Sequence, residues 1–206
     1  MIHVARHGET NWNREGRYQG QRESQLTEVG RAQADALARA LAGERIARVI
    51  SSPLQRCVAT AIPVAQRLGV PLETDRDLIE IAHGTWEGRL RDEIERDEPA
   101  LMQTWRQHPE RAIFEGGESL AQVDERWRAF VQRLGNADGL AIVTHDVVVR
   151  LAILAAQQRP LADLWEPRVL NGGYAVFRSG RPWELERECV SEHLAGLAVD
   201  TAAQAL

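Results

Sequence analysis

Three short apolar segments, each followed at once by polar residues suited to an anion, constrain the fold of this chain most. Stretches with helical periodicity separate them, and short apolar runs in that setting are typical of buried parallel strands. Ligands of such open sheets bind beyond the carboxyl ends of the strands. The sequence therefore predicts one anion site built from distant parts of the chain. The segments are residues 2–5, 46–50 and 140–143, and the polar clusters are residues 6–10, 51–56 and 144–146.

Helical patterns with recognisable N-terminal caps fill the intervening chain. After the turn residues 171–173, two further stretches predict a hairpin over 174–178 and 183–190. This order of elements indicates an α/β protein. The predicted caps are Thr27 for a helix to about residue 41, Ser52 for a helix opened by Pro53, Ser119 in a capping box with Gln122, and Asp146 for a helix over 147–157.

The sequence shows no repeat and no linker, which favours a single domain that spans residues 1–206. Residues 89–116 are helical in pattern, charged and rich in tryptophan, and we expect a lid over the strand ends. The last ten residues are rich in alanine and lack caps, so no regular structure is expected there.

All 25 basic side chains are arginines, because the sequence contains no lysine. Phosphate loops of the Walker type and Schiff-base enzymes need a lysine, so both classes are excluded. The arginines are interspersed with 30 acidic residues, for a net charge of −5, which argues against a nucleic-acid partner. A small anion held by arginines stays compatible with this balance.

The cellular setting follows from what the sequence does not contain. No run of apolar residues is long enough to span a membrane, and the first residues lack the pattern of a secretory signal. Two cysteines, Cys57 and Cys189, fit a reducing compartment. We therefore expect a cytoplasmic protein with no membrane partner. The histidines show no metal-ligand spacing, so no metal or other cofactor is expected.

Five groups of motifs occur in an order that matches a known family. They are RHGETNWN at 6–13 with RYQG at 17–20 and LT at 26–27, SSPLQR at 51–56 with TA at 60–61, EIAHGTWEG at 80–88, GGES at 116–119 and VTH at 143–145. Together they resemble the histidine phosphatase superfamily. The resemblance implies the phosphoglycerate mutase-like fold, a three-layer α/β/α sandwich with a mostly parallel central sheet and a small helical lid.

The chemistry expected of these residues is phosphoryl transfer through a covalent intermediate. His7 is the predicted nucleophile, which forms a phosphohistidine. Arg6, Arg56 and His145 are expected to surround the phosphoryl oxygens, where charge-assisted hydrogen bonds strengthen in the transition state. Glu80 is the predicted acid for the leaving oxygen and then the base for water.

Further substrate contacts are assigned to Asn13, as a neutral donor, and by resemblance to Gln19, Gly20 and His83. Within the superfamily the chain is most similar to the metal-independent phosphoserine phosphatases. In those, by resemblance, His83 helps to hold the amino-acid end of the substrate. The expected partner is thus a small phosphate monoester, and the narrower resemblance implies phosphoserine. A homodimer stays open.

Two other functions stay open at this point. A phosphoglycerate mutase would need a long insertion after the acid glutamate, yet only residues 81–115 separate Glu80 from Gly116. A short lid protects a phosphohistidine poorly from water, which favours a hydrolase. A non-catalytic phosphate-binding module is the other alternative, because Asp146 stands where the family usually has glycine. We expect its carboxylate to turn away and cap the following helix.

Overall fold

A mostly parallel sheet forms the centre of the molecule. The computed structural model describes residues 1–135, 137–197 and 204. The strands of this part of the chain are β1 (Ile2–Arg6), β2 (Arg48–Ser51), β3 (Leu72–Thr74), β4 (Leu140–Thr144), β5 (Tyr174–Arg178) and β6 (Glu184–Val190). They lie in the order β3-β2-β4-β1-β5-β6. The first four are parallel to one another, whereas β5 and β6 are antiparallel.

The register brings the carboxyl ends of the central strands to the same level. Arg6 at the end of β1 pairs with Thr144 of β4, and Ser51 of β2 pairs with Val143. The three predicted strands and the hairpin are confirmed, and their polar clusters follow at one edge of the sheet. The short strand β3 was not predicted, because three residues of which two are polar carry too little hydrophobic pattern.

Helices cover both faces of this sheet. They are α1 (Asn11–Glu15), α2 (Glu28–Ala40), α3 (Gln55–Leu68), α4 (Arg91–Asp97), α5 (Pro99–Gln107), α6 (Leu120–Leu134) and α7 (Asp146–Gln157). The Thr27 hydroxyl accepts from the backbone N–H of Gly30, and the Ser119 hydroxyl accepts from that of Gln122. Both predicted caps are therefore confirmed.

The other two predicted caps are wrong, and for the same physical reason. Helix α3 begins at Gln55 after Leu54, whereas the Ser52 hydroxyl lies 2.8 Å from Nε2 of His145. Helix α7 begins at Asp146 itself, and its carboxylate forms ion pairs with two arginines instead of capping. In both cases a side chain suited to capping is engaged in the site at the strand ends.

Two apolar clusters, one on each side of the sheet, hold the layers together. Ile2, Val4 and Ile142 belong to the cluster beneath α6 and α7, whereas Ala5 and Val143 face the cluster beneath α2 and α3. The alternation along β1 is the period of two of a strand buried on both faces. These layers confirm the expected three-layer α/β/α sandwich. No helix among the described residues has both the length and the apolar content to cross a bilayer.

The segment 89–116, expected as a lid, contains α4 and α5. Ile94, Met102 and Trp105 of this segment are fully buried and belong to the same apolar cluster as α6 and α7. Arg89 forms ion pairs with Asp97 and Glu98, which lie in the same segment. The region is therefore packed into the main core beside the strand ends.

Candidate active site

His7 follows β1 directly, with its side chain 3% exposed. Its Nδ1 donates to the carbonyl oxygen of Gly8 over 2.7 Å. A carbonyl only accepts, so this contact places the proton on Nδ1 and leaves the lone pair on Nε2. Burial, and then the nearby charges of Arg56 and Arg6, hold the pKa of His7 well below its usual range. The ring is thus a neutral imidazole with one nucleophilic nitrogen.

Arg6 and Arg56 bring two buried guanidinium groups to His7. Nη2 of Arg6 donates to Oε1 of Gln204 over 2.7 Å, and Nη1 lies 3.0 Å from Oδ1 of Asp146 in an ion pair. Its Nε has no hydrogen-bond partner among the described residues. Arg56 donates to the carbonyl oxygens of Gly20 and Arg22, and its Nε has no hydrogen-bond partner among the described residues. Buried donors of this kind favour an anionic ligand.

His145 completes this group at the end of β4. Its ring packs edge-on against that of His7, with centroids 5.3 Å apart. Burial, and then Arg56, lowers its pKa well below the usual range. Residues from three separate segments of the chain therefore meet around one small space, as the register of the strands requires.

Glu80 lies in the wall of the same cavity and is 7% exposed. Its Oε1 accepts from the backbone N–H of Ile81. Burial, followed by the charge of Asp146, raises the pKa of this carboxyl to about 7, against the opposing effect of Arg56 and Arg6. A carboxyl with such a pKa exchanges a proton near neutrality, which suits a general acid and base.

The predicted substrate contacts occupy two positions. Gln19, Gly20 and His83 line the cavity together with Arg6, His7, Arg56, Glu80, Asp146 and Val147. Asn13 is not among these lining residues, and its Nδ2 donates to Oε1 of Gln204, which also accepts from Arg6. Gly20 has φ of +50°, and a Cβ there would stand 2.0 Å from Oε1 of Glu87, so only glycine fits this approach.

Aromatic rings, rather than charged side chains, surround His83. Its ring contacts Tyr18, Trp105 and Phe114 edge-on, with centroids 4.8–5.5 Å away. Neither ring nitrogen has a hydrogen-bond partner among the described residues. Burial alone lowers the pKa of His83 to about 3, so the ring is neutral. It offers the cavity a donor and an acceptor without charge.

Two features of the site were not predicted from the sequence. Gln204, 5% exposed, accepts from Arg6 and Asn13 and donates to Oδ1 of Asn171 over 2.8 Å. No motif marks this glutamine in its alanine-rich surroundings. The rest of 198–206, for which no regular structure was expected, lies outside the described residues. The second feature is Asp146, whose carboxylate faces Arg6 instead of capping α7.

The described residues include no cluster of histidine, cysteine and acidic side chains able to hold a metal ion. The arrangement is instead that of a neutral histidine among guanidinium groups, in a cavity also lined by Glu80, a carboxyl whose pKa is raised to about 7. Such a site is suited to transfer of a phosphoryl group through the histidine.

Comparison with known proteins agrees with this description. Residues 2–187 match the model of the histidine phosphatase superfamily (branch 1). The chain therefore belongs to the histidine phosphatase superfamily.

The chain is also similar to individual members of this superfamily and to solved structures. The chain is 34% identical over 177 residues to phosphoserine phosphatase 1 of Hydrogenobacter thermophilus, covering 84% of each chain. It is 35% identical over 193 residues to phosphoglycerate mutase-like protein 4 of Arabidopsis thaliana, covering 90% of this chain and 83% of that protein. Among solved structures, Bacillus stearothermophilus YhfR superposes with a TM-score of 0.88 at 32% identity, covering 94% of this chain and 98% of the other.

Proposed function

We propose that this phosphatase hydrolyses a small phosphorylated metabolite through a phosphohistidine on His7, with phosphoserine as the first substrate to test. The observation that carries the proposal is the neutral His7 ring, with its Nδ1 proton held by Gly8, beside the buried donors of Arg6 and Arg56. A neutral imidazole beside two buried guanidinium groups is suited to an incoming phosphate.

The first half of the reaction transfers the phosphoryl group to the enzyme. Nε2 of His7 attacks phosphorus in line, the bond from phosphorus to the ester oxygen breaks, and Glu80 gives its proton to that oxygen. Arg6 and Arg56 hold the non-bridging oxygens, each by charge-assisted hydrogen bonds of about 1.5–3 kcal/mol. The raised pKa of Glu80, about 7, keeps a proton available for this step near neutral pH.

The second half returns the enzyme to its starting state. Glu80, now a carboxylate, takes a proton from water, the water oxygen attacks phosphorus, and the bond from phosphorus to Nε2 breaks. Inorganic phosphate leaves, and His7 is again neutral. The same carboxyl thus serves as acid and base, which a pKa near the working pH favours.

Phosphoserine is supported by two observations. The chain is similar over 84% of its length to a protein named phosphoserine phosphatase 1. His83 lines the cavity, and neither of its two buried ring nitrogens has a hydrogen-bond partner among the described residues. These are suited to a polar leaving group such as an amino acid. The free thiols Cys57 and Cys189 are compatible with a reducing compartment, and we place the enzyme in the cytoplasm.

A panel of phosphate monoesters in EDTA tests this proposal. It includes phosphoserine, 3-phosphoglycerate and an alkyl phosphate without charged substituents, each assayed for released phosphate. We expect turnover of phosphoserine with the highest kcat/KM. Preference for another ester overturns the substrate assignment alone. Phosphate exchange between the positions of phosphoglycerate, dependent on a bisphosphate primer, would instead indicate a mutase, and absence of any turnover would indicate a binding module.

A further inference from the structure

Asp146 is a buried carboxylate of the cavity that the proposed chemistry leaves without a role. It is 1% exposed and lines the same space as His7 and Glu80. Its Oδ1 lies 3.0 Å from Nη1 of Arg6. A negative charge in that place opposes the binding of a phosphate dianion. Its presence therefore requires a physical reason.

Arg150, one turn further along α7, holds the carboxylate from the other side. Its Nε donates to Oδ2 of Asp146 over 2.6 Å. Its Nη1 donates to the carbonyl oxygen of Pro167, and its guanidinium lies 5.2 Å from the centre of the Trp165 ring. The loop that precedes β5 thus fixes Arg150, Arg150 fixes Asp146, and Asp146 contacts Arg6.

We propose that Asp146 is a positioning residue, which orients the Arg6 guanidinium and through its fixed charge limits how tightly the site holds inorganic phosphate. This inference rests on the proposed function. Arg6 is 1% exposed, and a buried guanidinium is costly without a counter-charge. Asp146 supplies that charge in the free enzyme. When phosphate occupies the site, the same carboxylate repels it, which favours release of the product.

The charge of Asp146 also bears on Glu80. Among the described residues, the charged and titratable groups around Glu80 are Arg6 at the end of β1, His7 directly after it, Arg56 of α3, His83 of its own loop, Arg126 of α6 and Asp146 of α7. Asp146 is the largest electrostatic cause of the raised pKa of Glu80, second only to burial. The position of the carboxylate therefore helps the acid to keep its proton.

Two variants with opposite expected effects test the inference. Asp146→Asn keeps the shape and removes the charge, and we expect inorganic phosphate to inhibit about tenfold more tightly, equal to about 1.4 kcal/mol. Arg150→Gln leaves the Asp146 charge without its second partner, and we expect about tenfold weaker inhibition. In Asp146→Asn, the alkaline limb of the kcat/KM profile on an alkyl phosphate moves to lower pH, because Glu80 loses its proton more readily.

A purely structural role would move both variants in the same direction and leave the alkaline limb in place, and that result overturns the inference. Thermal unfolding shows whether each variant is folded. If Asp146→Asn does not fold, Arg150→Gln decides alone, and unchanged or tighter phosphate inhibition contradicts the inference. Calorimetric titration with inorganic phosphate needs no turnover, so it distinguishes failure of this inference from failure of the proposed function.

Discussion

The cavity has two regions whose buried histidines are neutral for different reasons. The cationic floor consists of Arg6, His7 and Arg56, which line the cavity, together with His145, whose ring packs against that of His7. The aromatic wall consists of His83, which lines the cavity, and the rings packed around it, Tyr18, Trp86, Trp105 and Phe114. In the floor, burial and two arginines together lower the pKa of His7, whereas in the wall burial alone lowers that of His83. A neutral ring beside cations is suited to react with an anion. A neutral ring among aromatics is suited only to select a leaving group by shape and hydrogen bonding.

The largest effect is expected from the floor. His7→Ala removes the nucleophile, and we expect kcat to fall about 10⁴-fold or more on every phosphate monoester. His108→Ala is the matched control, because that histidine is exposed and is not among the residues that line the cavity. Released phosphate is measured under saturating substrate. A kcat of His7→Ala above roughly one hundredth of the parent value would contradict the assignment of His7 as the nucleophile.

The next largest effect is expected from Glu80, which lines the same cavity. Glu80→Gln cannot give or take a proton, and we expect kcat on an alkyl phosphate to fall about 10²–10⁴-fold. The parent enzyme should lose kcat/KM on the same substrate as pH rises through about 7, because the carboxyl loses the proton that the leaving oxygen needs. The pH profile of Glu80→Gln should lack this limb. If the alkaline limb of the pH profile persists in Glu80→Gln, the general acid is another group.

A selective effect is expected from the wall. His83→Phe keeps the aromatic packing and removes both ring nitrogens, so KM for phosphoserine should rise about tenfold, the upper range for one neutral hydrogen bond. For an alkyl phosphate without an amino-acid group, KM should change less than about twofold. An equal rise for both substrates would mean that the wall does not distinguish leaving groups. Circular dichroism checks that the packing around Trp105 survives.

The smallest effect concerns the donors of the floor. Gln204 accepts from Nη2 of Arg6 and Nδ2 of Asn13, so a phosphoryl oxygen competes with its amide. In Gln204→Ala, KM for any monoester should fall about threefold, close to the value of one exchanged hydrogen bond. Initial rates over a range of substrate concentrations measure this. A higher KM would show that the glutamine contributes to binding instead of competing with it.

The cationic floor could be predicted from the sequence because the register of the parallel strands brings its residues together. Arg6, Ser51 and Thr144 end adjacent parallel strands, so the residues that follow them must meet. Asp146 could not be predicted, because a carboxylate at a helix start is equally suited to capping and to pairing with a guanidinium. Only the positions of Arg6 and Arg150 in space decide between these.

The aromatic wall and Gln204 were harder to predict for another reason. The partners of His83 come from four separate turns and helices, and no periodic pattern relates Tyr18 to Trp105 or Phe114. Gln204 lies 198 positions from Arg6 along the chain, in a stretch without motif or cap. Contacts of this kind depend on packing that a single sequence does not encode locally.

Direct detection of the phosphoryl group on His7 tests the account most sharply. Glu80→Gln is mixed with an aryl phosphate that has a good leaving group, quenched within milliseconds, and the peptide that contains residues 6–10 is analysed by mass spectrometry under alkaline conditions. We expect a phosphohistidine at His7 that accumulates, because the variant lacks the base for water. Release of the aryl alcohol together with stoichiometric phosphate and no modification of His7 would contradict it.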